Sequence, residues 1–393
     1  MAHQTAAAAQ FAPPGRVLEV REYGRGNVHD TFLVRTDSPS EPHFILQRLN
    51  TRVFPRPQLI MGNLRTVSDH VRRRLEDTPL TPGRRWEISK VLLTPDGGDH
   101  FLDSQGAFWR ALSFIAGART LDTIRDLEQA REVGYALGMF HRLLSDLPPE
   151  RLAVTLPGFH VTPGYLRHFD EILVKTGWVG GVGAQRAVPQ KRVREGRPLP
   201  DGAPAQKSPE AGYCLKMIKV RRAWATVLEE ARAQGKLPLR AIHGDPKVDN
   251  VMLDTLTGQA VALIDLDTVQ PGLVHYDLGD CLRSGGNPPG EETERWETVR
   301  FEPELCRAIL TGYLPRARDF LTPADYDYLY DAVHLLAFEL GLRFFTDYLA
   351  GNVYFKARHR DHNLARALVQ FRLTESIEAQ ETEIRAIIRE LGG

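Results

Sequence analysis

Residues 241–267 read AIHGDPKVDNVMLDTLTGQAVALIDLD, the most informative segment of the sequence. It predicts a loop carrying Asp245 and Asn250 that runs into a short apolar strand, then a turn, then a second apolar strand that ends at Asp265. A hairpin brings its second strand back beside the start of the first. We therefore expect these three side chains, together with that of Asp267, to meet at one edge of a two-stranded ribbon.

Oxygen donors clustered in this way suit Mg²⁺, which prefers carboxylate, amide, water and phosphate oxygens. The pattern is typical of phosphoryl transfer from ATP, in which a loop aspartate accepts the hydroxyl proton while an asparagine and a second aspartate hold the metal. We expect Asp245 to be the base, and Asn250, Asp265 and Asp267 to bind the magnesium. Lys247 is placed to neutralise charge on the transferring phosphoryl group.

The first hundred residues predict a small sheet with one helix. Strands are expected at 17–23, 31–35, 44–49, 87–93 and 107–114, and a helix at 55–74. Gly24, Gly26 and Asn27 lie in the loop between the first two strands, where glycine permits a tight turn. A Gly-x-Gly turn alone is a weak signal, and it indicates phosphate binding only in combination with the 241–267 stretch.

From about residue 121 the pattern becomes helical, with apolar residues at helical spacing around 133–144, 213–233, 303–314, 324–349 and 362–391. Strands followed mostly by helices indicate an α+β protein with segregated lobes. The segment 175–212 is rich in Gly, Pro, Arg and Lys and is predicted to be a flexible surface insertion. Residues 1–16 are predicted to be a disordered tail.

The composition of the 393 residues is that of an ordinary globular protein, with 42% hydrophobic and 25% charged residues. Fifty basic residues balance fifty acidic ones, which argues against a surface built to hold nucleic acid or anionic lipid. The three cysteines are far apart and odd in number, which favours a reducing compartment. No apolar run is long enough to span a membrane, and no signal peptide is evident, so we expect a cytoplasmic protein.

Other blocks of sequence carry a family likeness. They are 23–26, 30–32, 44–47, 109–110, 114–115, 159–160, 162–163, 264–269, 271–272, Asp277, 279–280, Arg283, Glu339, Gly341, 343–344, 347–349, 354–355, 362–364 and Gln370. With the 241–267 stretch, they make the chain resemble the aminoglycoside phosphotransferase and choline kinase-like superfamily. Within it, the chain is most similar to bacterial N-acetylhexosamine 1-kinases, over roughly 17–390 except the insertion.

The resemblance implies a protein-kinase-like bilobal fold, with a small β-rich nucleotide-binding N-lobe at 17–115 and a larger, mostly helical C-lobe at 116–393. It implies a kinase that uses ATP and Mg²⁺ to phosphorylate the anomeric hydroxyl of GlcNAc or GalNAc. The implied nucleotide contacts are Gly24, Gly26, Asn27, Gln47, Arg48, Phe114 and Ile115. The implied sugar contacts are Thr268, Arg343 and Tyr354, with His160 and Arg283 as weaker candidates.

The chain departs from the protein-kinase pattern at the third strand, where a lysine normally holds the nucleotide phosphates. Gln47 and Arg48 stand there, and the next helix has Gly62 near the place of the partner glutamate. Tyr165 replaces an arginine of the sugar-kinase pattern, so the acceptor stays open: another sugar, an amino alcohol or an aminoglycoside is the first alternative. A nucleotide- or sugar-binding protein without catalysis is the second. The sequence leaves the oligomeric state open.

Overall fold

The computed structural model describes residues 2–11, 15–24, 28–178 and 208–392. Gly26, Asn27 and most of the predicted 175–212 insertion lie outside these described residues. The predicted α+β, two-lobed architecture is confirmed, because antiparallel strands dominate up to Ser113 and helices dominate from Leu127 onward.

Short strands build the N-lobe sheet and flank the predicted catalytic loop, residues 243–250. They are β1 (Val17–Glu22), β2 (Asp30–Thr36), β3 (His43–Arg48), β4 (Val91–Leu92), β5 (Phe101–Leu102), β6 (Phe108–Ser113), β7 (Ala118–Thr120), β8 (Arg240–Ile242), β9 (Val251–Asp254), β10 (Ala260–Leu263) and β11 (Gln270–Gly272). The N-lobe sheet has the order β1-β2-β3-β6-β4, with β5 also paired to β6. In the C-lobe, β9 pairs with β10 and β7, while β8 pairs with β11.

Helices form nearly all of the rest. They are α1 (Ala2–Ala9), α2 (Pro57–Asp77), α3 (Leu127–Leu144), α4 (Thr162–Thr176), α5 (Pro209–Arg221), α6 (Val227–Ala233), α7 (Val274–Gly285), α8 (Pro303–Ala317), α9 (Pro323–Asp327), α10 (Leu329–Leu349), α11 (His362–Ala379) and α12 (Glu381–Gly392). Helix α10 is buried along almost its whole length, and its buried residues include the acids Glu339 and Asp347. None of the described helices has the length and apolar character needed to cross a membrane.

The alternation of side chains along β3 and β6 gives the N-lobe sheet two different faces. Phe44, Leu46 and Trp109 are buried on one face, in an apolar cluster. The opposite face carries Gln47 and Arg110, which are direct cross-strand partners in the antiparallel register. This second, polar face looks toward the catalytic loop, because Arg110 contacts Asp267 of the C-lobe.

The expectation of a disordered tail is wrong for the described part of residues 1–16. Helix α1 lies on the apolar face of the N-lobe sheet, with Ala7, Ala8 and Phe11 buried in the same cluster as the sheet residues. An alanine-rich segment of eight residues is too short to be a stable helix alone. The apolar sheet face supplies the missing stabilisation, and that face is assembled from distant strands, so the tail sequence does not reveal it.

Other predicted elements differ in their limits. The strand expected at 87–93 shrinks to β4, because the Glu87 N–H donates to the Val261 carbonyl of the C-lobe at 2.8 Å instead of pairing within the sheet. The long helices expected at 213–233, 324–349 and 362–391 are each divided into two. These breaks lie near Thr226, Tyr328 and Gln380.

Candidate active site

The loop that follows β8 brings Asp245 and Asn250 together, as the spacing predicts. The Asn250 side-chain Nδ2 donates to the Asp245 carbonyl oxygen at 2.7 Å and lies 3.4 Å from the Asp245 carboxylate. The Ile264 N–H donates to the Asn250 carbonyl at 2.9 Å, which ties the end of β10 to this loop. Asp265 is the next residue, so the hairpin delivers it beside Asn250.

Gly244 is required by the backbone of the catalytic loop. Its φ is +87°, a conformation that L side chains rarely adopt. A Cβ atom at this position would lie 2.8 Å from the Thr268 carbonyl oxygen and 2.9 Å from the Thr268 Cβ. The close approach lets the Thr268 hydroxyl donate to the His243 carbonyl at 2.8 Å. Thr268, predicted to contact the sugar, therefore has its hydroxyl bonded to the loop backbone.

His243 connects the catalytic loop to the strand that carries Asp265. Its Nε2 donates to the Ile264 carbonyl at 2.9 Å, and its Nδ1 accepts from the Asp245 N–H at 3.2 Å. These two bonds require a neutral imidazole protonated on Nε2. Burial lowers the pKa of His243, in agreement with a neutral ring.

Asp277 of α7 fixes the start of the catalytic loop through hydrogen bonds to its backbone. Its carboxylate is completely buried and accepts from the backbone N–H groups of His243 at 2.6 Å and Gly244 at 2.8 Å. The His141 Nε2 donates to the same carboxylate at 2.8 Å. Burial opposes ionisation, but these hydrogen bonds and the charge of His141 lower the pKa of Asp277. A buried carboxylate thus fixes the backbone immediately before Asp245.

Lys247 lies beside the predicted base. Its Nζ is 3.5 Å from the Asp245 carboxylate and 3.7 Å from that of Asp249, and each of the three side chains is partly exposed. The Asp245 charge is the main cause that raises the pKa of Lys247, so the ammonium stays protonated. The structure thus places a permanent cation next to Asp245, where the sequence predicted one.

Asn250 and Asp265 offer oxygen donors suited to Mg²⁺. The Asn250 amide nitrogen is engaged by Asp245, which leaves its Oδ1 available as a ligand. Asp265 is an exposed residue, yet desolvation together with repulsion from Asp267 and Asp245 raises its pKa to about 6. Asp265 also has φ +65°, a strained conformation of the kind concentrated at functional sites. A divalent cation would relieve the repulsion between carboxylates, so these residues fit the metal.

Asp267 does not share this role, and its assignment to magnesium needs correction. Arg110 donates to its two oxygens, from Nη1 at 2.5 Å and from Nη2 at 2.8 Å, and His29 Nε2 lies 2.6 Å from Oδ2. Burial alone would raise the pKa of Asp267, but Arg110 and His29 outweigh it and lower the pKa. The described residues contain no group of three or more His, Cys, Asp or Glu side chains placed to bind a metal. The remaining donor set is therefore one amide and one carboxylate beside Asp245.

Of the predicted nucleotide contacts outside the third strand, the structure describes Gly24, Phe114 and Ile115. Gly24 has φ +77°, which fits a tight turn after β1. Phe114 packs its ring against those of Tyr23 and His43, with centroids 6.2 and 5.8 Å apart. Ile115 is buried with Met252 and Val261 in a cluster where the lobes join.

The two third-strand candidates face different environments. Gln47 lies on the polar sheet face, where it accepts from Arg110 and donates to the Thr31 hydroxyl. Arg48 is half-exposed and donates to the Asp30 carboxylate from Nε at 2.8 Å. The structure therefore does not bring Arg48 to the cluster of Asp245, Asn250 and Asp265.

His160 contacts the catalytic loop at the residue before Asp245. Its Nε2 donates to the Gly244 carbonyl at 2.7 Å, and its Nδ1 donates to the Glu339 carboxylate at 2.9 Å. A second oxygen of Glu339 accepts from the Thr162 hydroxyl at 2.7 Å. Burial alone would lower the pKa of His160, but Glu339 outweighs it and raises the pKa. His160, predicted as a sugar contact, is thus a buried cation that braces the residue before Asp245.

Arg343 lies one helical turn after Glu339 on α10 and is surrounded by aromatic rings. Its guanidinium carbon is 5.2 Å from the ring centre of Phe159, 5.0 Å from Tyr165 and 5.5 Å from Phe355. We call Arg343 with these three rings the Arg343 cluster. Its side chain is 12% exposed, and burial alone would lower its pKa, but Tyr165, Tyr354, Glu339 and, least of these, Asp245 outweigh burial and raise the pKa. Tyr165, which departs from the sugar-kinase pattern, is thus a direct neighbour of Arg343.

The last two predicted acceptor contacts differ in burial. Tyr354 is 54% exposed, and its backbone N–H donates to Asp347 at 2.8 Å. Arg283 is buried and donates from Nε and Nη2 to one oxygen of Asp280, at 2.9 and 2.6 Å. The other Asp280 oxygen is buried without a partner. Arg283 therefore has an acidic partner of its own.

Sequence reasoning assigned no role to several residues that shape this site. They are His29, Arg110, Asp277 and Glu339. The last two are acids inside apolar helical patterns, and an acid on the buried face of a helix is a signal that needs a buried partner. No comparable signal marks Arg110, since its partner Asp267 is 157 positions away in the sequence.

The chain can be compared with known proteins now that its geometry is described. Residues 19–321 match the phosphotransferase enzyme family, APH. Among solved structures the chain is similar to a microcompartment-associated aminopropanol kinase, with 15% identity, 98% of each chain covered and a TM-score of 0.62. It is also similar to an aminoglycoside phosphotransferase from Alicyclobacillus acidocaldarius, with 13% identity, 98% of this chain and 96% of that chain covered, and a TM-score of 0.56.

A third similar structure is a spectinomycin phosphotransferase in complex with ADP and spectinomycin, with 13% identity, 93% and 94% of the two chains covered and a TM-score of 0.51. At such identities these structures show a common fold, the protein-kinase-like arrangement of two lobes. The family match spans most of the chain and includes the catalytic loop and the hairpin after it. The chain therefore belongs to the phosphotransferase enzyme family.

Proposed function

We propose that the protein is a kinase that uses ATP and Mg²⁺ to phosphorylate the anomeric hydroxyl of an N-acetylhexosamine, GlcNAc or GalNAc. The observation that carries the proposal is the meeting of Asp245, Asn250 and Asp265 at one edge of the cleft between the lobes. The spectinomycin phosphotransferase of similar fold holds ADP, which supports an adenine nucleotide as the phosphoryl donor.

The residues divide the chemistry between them. Asp245 orients the acceptor hydroxyl and takes its proton, while Lys247 offsets negative charge beside it. Asn250 and Asp265 would hold magnesium, which when bound neutralises charge on the phosphate oxygens. Asp277 and His160 keep the loop backbone fixed, so that Asp245 needs little reorganisation when the hydroxyl attacks.

The positive charges near Asp245 support an uncharged acceptor. Two cations lie near Asp245: the Arg343 guanidinium, and the imidazolium of His160, whose pKa is raised. Glu339 is the carboxylate paired with both. A third cation, brought in by a protonated amine, would be repelled by Arg343. The sugar itself, GlcNAc or GalNAc, is supported by the family likeness of the residue blocks around Arg343 and Tyr354.

The main rival keeps the same chemistry and changes the acceptor to an amino alcohol or aminoglycoside, as the names of the similar structures suggest. A binding protein without catalysis is the other alternative, and the intact set of Asp245, Lys247, Asn250 and Asp265 weighs against it. A cytoplasmic location is also part of the proposal. The supply of ATP there, and three cysteines that are all free and buried, support it.

The experiment is an ATP-consumption screen over neutral sugars, amino sugars, amino alcohols and aminoglycosides, with NMR to locate the phosphate on the product. Phosphate on C1 of an N-acetylhexosamine would support the proposal, and selective turnover of an amine would support the rival. No turnover with any acceptor would favour the alternative of a binding protein without catalysis.

Asp245→Asn tests the assigned base. We expect turnover to fall by about two to four orders of magnitude while nucleotide binding is retained, as for the loss of a general base. The matched control is Asp249→Asn, an exposed carboxylate on the same loop that also faces Lys247. Near-normal turnover in Asp245→Asn would contradict the role of the residue.

A further inference from the structure

The phosphotransferase site has no lysine at the usual place on the third strand, and neither third-strand candidate supplies its charge. Gln47 occupies the polar sheet face but is neutral. Arg48 is cationic, but its side chain is half-exposed and paired with Asp30. A kinase-like site needs a cation at this position to hold phosphates or to fix the groups that do. The question is which residue provides it.

Arg110 of β6 is the direct cross-strand partner of Gln47, so the two side chains emerge side by side on the same sheet face. The Gln47 Oε1 accepts from Arg110 Nε at 2.9 Å and from Nη2 at 2.7 Å. The guanidinium is 2% exposed and therefore fixed in place. A cation thus lies one strand away from the expected position, on the correct face.

The acidic partner of this cation comes from the other lobe. Asp267 accepts from Arg110 through both oxygens in a bidentate arrangement, which is the strongest and most directional form of this ion pair. Asp267 is two residues after Asp265 and is itself 2% exposed. The pair therefore connects the N-lobe sheet to the segment that carries the metal-site carboxylate.

His29, the residue just before β2, belongs to the same network. Its Nδ1 accepts from the Asn50 N–H at 3.0 Å, so Nε2 carries the proton and donates to Asp267 at 2.6 Å. His29 closes the β1–β2 connection that begins at Gly24. Three segments, the sheet, the residue just before β2 and the segment that carries Asp265, converge on one buried carboxylate.

We propose that Arg110 and Asp267 take the place of the lysine–glutamate pair of protein kinases and position Asp265 against the magnesium–nucleotide complex. The inference rests on the proposed function in that it requires nucleotide binding, but it does not depend on the acceptor. Arg110 acts through Asp267 and is a positioning residue. Its loss should therefore weaken binding of the magnesium complex much more than binding of the nucleotide alone.

The test is calorimetric titration of the full chain with ADP, once with Mg²⁺ and once with EDTA. For Arg110→Gln and for the isosteric Asp267→Asn we expect affinity for Mg·ADP to fall about 10- to 100-fold, the range for groups that orient metal ligands. Affinity for ADP in EDTA should change by less than about threefold. Arg35→Gln, which removes an exposed arginine paired with Glu19 on the same sheet, is the control and should change neither.

The decisive variant moves the cation to the usual strand. In Gln47→Lys/Arg110→Gln the lysine stands opposite the vacated position, and we expect Mg·ADP affinity to recover to within about fivefold of the wild type, as for a restored charge pair. Equal losses with and without Mg²⁺, or a folded double variant without recovery, would overturn the inference. If Arg110→Gln does not fold, Asp267→Asn decides in its place.

Two further outcomes separate this inference from the function. If Arg48→Gln lowers Mg·ADP affinity and Arg110→Gln does not, Arg48 is the cation and the inference is wrong while the kinase function stands. If the wild type binds no nucleotide, the proposed function fails, and the role of the pair fails with it.

Discussion

His160 is a buried charged side chain whose contribution to stability depends on pH. Both of its ring nitrogens donate, one to Gly244 and one to Glu339, so the folded protein holds a charged imidazolium. Its pKa is raised in the folded protein. The stabilisation is therefore fully present below the ordinary histidine pKa of 6.5 and is lost as the pH rises through the folded value.

We therefore expect His160→Gln to lower the free energy of unfolding by about 1–3 kcal/mol below pH 6.5, the scale of hydrogen bonds to a charged group, and by progressively less at higher pH. Urea denaturation between pH 6 and 9 measures this difference. His168→Gln is the control, because His168 is 57% exposed and pairs only loosely with Glu171. A difference between His160→Gln and wild type that does not change with pH would show that the ring is neutral.

Arg343 leads to a prediction about acceptor charge. In the Arg343 cluster the guanidinium is held among aromatic rings, and a methionine would fill a similar volume without the charge. We expect Arg343→Met to raise kcat/KM for the protonated 2-amino-2-deoxyhexose relative to the N-acetylhexosamine by about tenfold, the effect of about 1.4 kcal/mol of like-charge repulsion.

Steady-state kinetics with glucosamine and GlcNAc give this ratio for the wild type and for Arg343→Met. Lys356→Met, which removes a cation from the nearby loop after Tyr354, serves as the comparison. An unchanged ratio in Arg343→Met would mean that the guanidinium does not discriminate by charge, even if the variant is slower overall.

Local spacing explains why Asp245, Asn250 and Asp265 could be predicted and Asp267 could not. The first three lie on one loop and the hairpin after it, so short-range geometry alone brings them together. Asp267 looks equivalent in sequence, but its direction is set by Arg110 on a strand of the other lobe. Thr268 and His160 were found as site residues through resemblance, while their bonds to the loop backbone needed coordinates.

At the scale of elements, helix α1 shows how a tertiary surface can create structure that the local sequence does not encode. Its burial depends on Phe11, which is 2% exposed in the apolar cluster of the N-lobe sheet. Alanine side chains alone bury little area, so the aromatic ring contributes most of the attachment. The sheet face would otherwise be exposed to water.

We expect Phe11→Ala to lower the free energy of unfolding by about 3 kcal/mol, within the range for removing a buried phenylalanine. Chemical denaturation measures the loss, and amide hydrogen exchange should show that protection falls first in α1 and on the apolar sheet face. Gln10→Ala, at an exposed position next to it, is the control. Unchanged exchange in α1 after Phe11→Ala would mean that the helix is held by other contacts.

The order of strands and helices was easier to predict than the positions at which the long helices break. The order of short strands followed by long helices follows from the change in apolar spacing, and it was enough to predict two lobes. The breaks within the long helices were missed because no proline or glycine interrupts the pattern at Thr226, Tyr328 or Gln380. Tertiary packing decides these limits, and periodicity contains no information on it.

At the scale of the whole molecule, buried ion pairs join the lobes at more than one place. Glu132 of α3 is 4% exposed and accepts from Arg84 of the N-lobe at 2.8 Å and from the Ala260 N–H of β10 at 2.6 Å. Its hydrogen bonds with Arg84, and then its charge, raise the pKa of Arg84. Together with the Arg110–Asp267 pair, this contact makes the hinge region part of the folded core rather than a free linker.

This coupling predicts that the two lobes unfold together. In the wild type, intrinsic fluorescence and far-UV circular dichroism should report one coincident transition in urea. Glu132→Gln leaves Arg84, whose side chain is 16% exposed, without its carboxylate, which costs about 1.5–3 kcal/mol, the scale of a hydrogen bond to a charged group. Since this penalty falls on the junction, the N-lobe should melt first and the two probes should separate. Glu128→Gln removes an acid from the same helix, but its side chain is 71% exposed and paired with Arg131, so its transition should stay single. A large loss of stability in Glu132→Gln with the transitions still coincident would mean that the lobes are coupled mainly by the apolar contacts around Ile115, and not by the charged ones.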